Sequence, residues 1–173
     1  MTDRLHRAKP RKALYTPEER VRRDATGWTL VQGVLAPVQF VVFVVSTLLV
    51  LRFLVTGEGY GLATASILLK TALLYAIMVT GAIWEKVVFG QYLLAPAFFW
   101  EDVVSFVVIA LHTIYLWGLL TGAIAPEPLM WLTLAAYAVY VVNAGQFLLK
   151  LRAARLDAAA GIGSGAGAQG RAW

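Results

Sequence analysis

The chain predicts an all-α integral membrane protein with four transmembrane helices, and three observations carry that prediction. The first is composition. Of 173 residues, 60% are hydrophobic and 14% charged, with a mean hydropathy of +0.70. A soluble domain holds roughly 45–50% apolar and about 25% charged residues, so a soluble globule is excluded, and with it disorder of the whole chain. The second is four apolar runs, about 34–55, 62–83, 103–120 and 129–149, each of about 18–22 residues. That length crosses a hydrocarbon core of ~30 Å at about 1.5 Å per residue. In lipid such runs must be helical, because no water is present to satisfy the backbone. The third is the placement of charge. Residues 1–24 and 150–173 hold twelve of the fifteen Lys and Arg and five of the ten acids, whereas the middle holds only Arg52, Lys70 and Lys86 with five acids.

Three regions follow in order. Residues 1–26 form a basic N-terminal segment expected on the cytoplasmic side. Within it Thr16-Pro17-Glu18-Glu19 reads as a helix start, with Thr16 as cap, Pro17 at the first position and Glu19 three residues past the cap. The run Arg20–Arg23 would then lie along the membrane surface. Residues 27–150 hold the four spans. The first is too long for a cleaved signal and has no small-residue cleavage site after it. An even number of spans puts both termini on one side, and the positive ends make that side cytoplasmic. The loops 56–61 and 121–128, free of Lys and Arg, then face outward, with Arg52 a mild exception. Residues 151–173 are a Gly/Ala-rich tail expected to be disordered. The basic ends flank apolar spans, so a pI near 9.7 marks topology and not nucleic-acid binding.

The absence of Cys excludes disulfides, thiolate metal sites and Cys nucleophiles, and two His (His6, His112) are too few for a multi-histidine metal centre. Ionisable residues inside or beside spans therefore stand out. Glu85 and Lys86 close the second span, and Glu101 and Asp102 open the third. The stretch between them, 87–98, is apolar and aromatic but too short to span. It is expected to be an interfacial or re-entrant segment, with turns at Gly90 and Pro96. Ser105, Val108 and His112 share a helical face with Glu101, which places His112 near the bilayer middle. Each of these has a plainer reading beside the functional one. Carboxylates favour a helix N-terminus, and Glu85 with Lys86 could be a surface pair. Lys70 could snorkel, while Gln39, Asn143 and Gln146 could bridge helices. The tryptophans fit interfacial belts.

Two stretches, 22–40 and 80–113, resemble the 3-vinyl bacteriochlorophyllide hydratase family. The second, Thr80-Gly81-Ala82-Ile83-Trp84-Glu85-Lys86 through Phe98-Phe99-Trp100-Glu101-Asp102 to Ala110-Leu111-His112-Thr113, is long and unusual in composition. The resemblance covers roughly residues 15–148. It implies a hydro-lyase that adds water to the C3 vinyl group of a (bacterio)chlorophyllide, giving the 3-(1-hydroxyethyl) pigment of bacteriochlorophyll biosynthesis without a redox cofactor. It also implies a bacterial inner membrane location, including photosynthetic intracytoplasmic membrane, and contact with other pigment-biosynthesis enzymes. Such hydration needs a general acid and a partner for the water. A carboxyl group in an apolar pocket suits the first role. Glu101 and Asp102 are the expected acid, with Glu85 positioning water. Phe89, Tyr92, Phe98, Phe99 and Trp100 would stack on the macrocycle, Lys86 would pair with its propionate, and His112 could ligate the pigment's magnesium. No metal or cofactor of the protein's own is expected. The alternative is a non-catalytic pigment- or quinone-binding membrane subunit. A small transporter fits less well, since few polar groups line the spans and no pair of broken helices is evident.

Overall fold

The computed structural model describes the backbone of residues 14–169 and the side chains of residues 14–156. Readings that fall on residues 1–13 and 170–173 lie outside it. The described chain is five helices, α1 (Pro17–Ala25), α2 (Gly27–Thr56), α3 (Tyr60–Phe89), α4 (Phe99–Thr121) and α5 (Pro126–Gln169). Four of them are long and apolar enough to cross a membrane.

Each long helix overruns its apolar run. The run at 34–55 becomes a helix from Gly27, and that at 62–83 extends to Phe89. Hydrogen bonding along the backbone does not stop where the side chains turn polar, so residues such as Gln32 and Lys86 continue the helix toward the membrane surface. Pro37 lies inside α2 without ending it. A proline there cannot donate to the carbonyl of Gly33, and neighbouring helices make such interruptions tolerable in spans. At the C-terminal end the helix runs to Gln169, past the boundary expected at 150. Alanines at 153, 154 and 158–160 are the strongest helix formers, and a helix already nucleated extends at little cost.

The three-residue link after Thr56 folds α3 back along α2, and the short link after Thr121 folds α5 back along α4. Two antiparallel hairpins result. They join through α2 against α5 and α3 against α4, with less contact than within either hairpin. The order around the bundle is thus α2–α3–α4–α5. Rows of Val, Leu and Phe on its outside stay exposed, among them Val41, Val45, Leu48, Leu69, Val107 and Val142. An apolar girdle of this extent is met by lipid and not by water.

One end of the bundle carries the two short links. The other gathers α1, the 90–98 connection and the ends of α3 and α5. Thr16 caps α1 as the sequence predicts, its Oγ1 accepting from Glu19 N at 3.2 Å while Glu19 Oε2 accepts from Thr16 N at 2.8 Å. Arg22 Nε donates to Val88 O at 2.8 Å, and Trp84 Nε1 donates to Thr29 Oγ1 at 2.9 Å. These bonds tie α1 and the start of α2 to the last turns of α3. Tyr15 stacks on Phe89 at 5.8 Å and is buried with Val88 and Phe98, closing that end. Burial pushes the Tyr15 hydroxyl pKa up, against the opposing effect of Arg23.

Candidate functional site

The site is set by how α3 ends and α4 begins. Gly90, at φ 85°, stops α3 by accepting a left-handed conformation that a side chain disfavours. The connection then turns sharply, with Leu93 at φ 107° and Leu94 at φ 57°. A non-glycine residue held there is strained and persists only when its surroundings fix it. The carboxylates provide that fixing: Leu94 N donates to Asp102 Oδ2 at 2.6 Å, and Ala95 N donates to Glu85 Oε2 at 3.2 Å. Pro96 lies within this turn, and Phe98 N closes it on Ala95 O at 2.8 Å.

All three predicted carboxyls meet here, and each is nearly solvent-free: Glu85 5%, Glu101 5% and Asp102 3% exposed. They divide into two sets. Glu101 Oε2 pairs with Lys150 Nζ at 2.7 Å, and Lys150 also donates to Ala97 O and lies 5.1 Å from the centre of the Phe98 ring. Glu85 and Asp102 instead meet at the turn, accepting from the adjacent N–H groups of Ala95 and Leu94. Two carboxyls held close together in a buried site disfavour ionising together. The cluster therefore holds one carboxylate paired with an ammonium and one carboxyl pair with no salt-bridge partner among the described residues. Asn143 Nδ2 donates to Glu101 O at 2.8 Å, while Ser105 Oγ donates to the same carbonyl at 2.8 Å, so α5 is locked to the first turn of α4.

The aromatic residues separate in the same way. Phe89 and Phe98 face inward and join Trp84, Tyr15 and Phe147 in one cluster with ring centres 5.6 to 6.4 Å apart. Tyr92, Phe99 and Trp100 are 62%, 42% and 67% exposed and point away from it. Lys86 is also outside, donating to Gly90 O at 2.7 Å and lying over Tyr92. The lysine beside the carboxyls is thus Lys150, not Lys86. Sequence reasoning counted Lys150 only among the terminal charges, yet the up-and-down order of four spans already places the end of the last at the level of Glu85 and Glu101. Trp84 reads from sequence as an interfacial-belt residue and instead joins this cluster, while Tyr15 and Phe147 carry no comparable signal.

His112 lies deeper. The buried face of α4 runs Glu101, Asp102, Ser105, Val108, His112 and Tyr115, as the helical spacing predicts. His112 Nδ1 is 2.8 Å from Val108 O, an acceptor, so Nδ1 carries the hydrogen and Nε2 presents a lone pair. Nε2 has no partner among the described residues. Between His112 and the carboxyls lies an apolar layer of Leu74, Val108 and Tyr140. The described residues hold no group of three or more His, Cys, Asp or Glu arranged for a metal ion. Chemically, this end of the bundle offers two adjoining buried carboxyls, a fixed ion pair beside them, and an aromatic wall.

Residues 15–153 match the model of a family described as 2-vinyl bacteriochlorophyllide hydratase. The chain is similar to the 2-vinyl bacteriochlorophyllide hydratase of Rhodobacter capsulatus, 73% identical over 150 residues and covering 86% of each chain. It is similar also to the protein of that name from Cereibacter sphaeroides, 72% identical over 151 residues, covering 87% of this chain and 93% of the relative. No solved structure matches it.

Proposed function

This chain belongs to the 2-vinyl bacteriochlorophyllide hydratase family, and from that membership we propose how its buried carboxyls carry the reaction. The protein is a hydro-lyase of bacteriochlorophyll biosynthesis that hydrates the pigment's vinyl group. The names 2-vinyl and 3-vinyl number the same group differently.

Glu85 and Asp102 form the acid–base unit. The protonated member gives its proton to the terminal vinyl carbon. Positive charge develops on the carbon joined to the macrocycle, which delocalises it. Water adds to that carbon, and the ionised member accepts the proton that the water loses. One proton leaves the pair and one returns, so the pair ends each cycle as it began. Glu101, held in place by Lys150, stabilises the transient cation. Phe89, Phe98 and Trp84 wall the carboxyl end of the site, and the Nε2 lone pair of His112, deeper in the bundle, is available to the pigment's magnesium. Hydration moves no electrons, so this scheme draws on no cofactor. The observation that carries it is the meeting of two buried carboxyls at one turn, where they accept from the adjacent N–H groups of Leu94 and Ala95.

The 90–98 end is placed at the cytoplasmic interface of a bacterial inner membrane, including intracytoplasmic membrane, with both termini on that side and the connection lying at the surface. The outward Tyr92, Phe99 and Trp100 suit an interfacial belt there and give neighbouring enzymes of the pathway a face to meet.

A second reading has its own support. Glu85 and Asp102 also accept from the strained turn at 93–95, so they could serve as braces in a subunit that only binds pigment. Membranes holding the protein, given 3-vinyl chlorophyllide in D2O, separate the two. The hydratase yields a product heavier by one D2O, with one deuterium on the new methyl carbon. Pigment that is bound and returned unchanged would establish the binding subunit instead.

A further inference from the structure

Lys70 is a buried intramembrane charge that the scheme above does not use. It is 0% exposed, and its Nζ has no hydrogen-bond partner among the described residues. It lies 3.6 Å from the centre of the Tyr140 ring. The other described lysines are engaged: Lys86 with Gly90 O, Lys150 with Glu101. An ammonium sealed in a bundle core is costly unless it meets an opposite charge, and a solitary aromatic face supplies only part of that. The snorkelling foreseen from sequence does not occur, because the side chain is held inside the bundle.

The place of Lys70 is informative. It lies on α3, with His112 on α4 and Tyr140 on α5, while Glu85 is on α3 and Asp102 on α4. The two polar sets therefore both straddle the seam where the hairpins meet most thinly. Along the helices, Lys70 is about 22 Å from Glu85 and His112 about 15 Å from Asp102 by helical rise. The layer between is apolar: Leu74, Val108 and Tyr140, with Phe43 against it. A chlorin carries its vinyl and its propionate on neighbouring rings, so one edge of the pigment presents both along this seam, the vinyl to the carboxyls and the extended arm toward Lys70. A chlorophyllide is by definition the unesterified acid, so that arm ends in a carboxylate.

We propose that Lys70 is the docking point for the propionate carboxylate of the substrate, reached through the seam between α3 and α4. The inference rests on the reading of Glu85 and Asp102 as the site of hydration. Buried alone, the ammonium and the carboxylate are each costly; brought together they neutralise one another, and Tyr140 covers the pair. The match selects the free acid over an esterified pigment and sets the end of the macrocycle that faces the carboxyls. A hydrogen bond of 2.8 Å between Tyr75 OH and Thr113 Oγ1 bridges α3 and α4 across this seam and would open on entry.

The test pairs a change in the protein with a change in the ligand. Dissociation constants are measured on the full-length protein in detergent, by pigment absorbance, for 3-vinyl chlorophyllide and for its propionate methyl ester. The wild type is expected to favour the acid by at least ~10-fold, and Lys70→Met to bind both as the wild type binds the ester. Lys70→Gln serves equally if the methionine variant does not fold. A preference for the acid that survives in these variants overturns the proposal. So does a preference that collapses in Lys86→Met, which would put the carboxylate at the helix end. Binding needs no turnover, so failure of the catalytic reading is seen separately, as full hydration by Glu85→Gln and Asp102→Asn.

Discussion

Glu101 and Asp102 are adjacent in sequence and differ in what holds them, one taking the Lys150 ammonium and the other the Leu94 N–H beside Glu85. The proposed division of roles rests on that difference. Replacing Lys150 by Met leaves Glu101 buried without a counter-charge. Breaking a fully buried pair costs about 3–5 kcal/mol. Because the Lys150 side chain is 27% exposed, the expected loss is nearer 2 kcal/mol, read by thermal melting in detergent. Adding Glu101→Gln to Lys150→Met should recover most of it, since the stranded charge is then gone. An undiminished melting temperature in Lys150→Met would mean the ion pair does not hold this end of the bundle. At this scale the sequence shows which residues matter but not their partners. Glu85, Glu101 and Asp102 are visible because charge is scarce in the middle of the chain. The division of the acid pair from the ion pair depends on side chains that converge from the start of α4 and the end of α5, and no local pattern encodes that.

At the scale of elements, the apolar runs locate the helices and the polar residues at their ends obscure where they stop. The 87–98 stretch was legible as an interruption, because Gly90 and Pro96 punctuate an apolar segment too short to span. Its strained Leu93 and Leu94 were not legible, since leucine gives no hint of a positive φ. The strain is tolerated because the two carboxyls accept the N–H groups of Leu94 and Ala95. Gly90→Val tests the turn. A Cβ at this position meets nothing within 4 Å, so the cost comes from the backbone alone, about 1–2 kcal/mol for a left-handed residue. Gly61→Ala, inside α3 and equally open, should carry no such cost. Equal melting temperatures for the two variants would show that the chain does not need the left-handed turn at Gly90.

For the whole molecule, two hairpins form a ring whose outside is apolar and whose one polar end is capped by α1. The ring order α2–α3–α4–α5 follows from two short links and one longer one, but sequence alone leaves the neighbour of each helix open. Charge placement predicts the orientation. An alkaline phosphatase fusion after Glu58 should be active and one after Gly90 inactive; the reverse pattern would turn the protein over in the membrane. The account as a whole depends on the carboxyl pair doing the chemistry and not merely bracing the turn. Glutamine and asparagine keep an acceptor oxygen for the braced N–H groups and lose the transferable proton. The direct measurement is the single-turnover hydration rate of bound 3-vinyl pigment in Glu85→Gln and Asp102→Asn, with melting temperature followed in parallel. Loss of a general acid or base slows such a step by about 10²–10⁴-fold, and that fall is expected in both variants with melting little changed. Hydration at the wild-type rate in either variant would contradict the assignment.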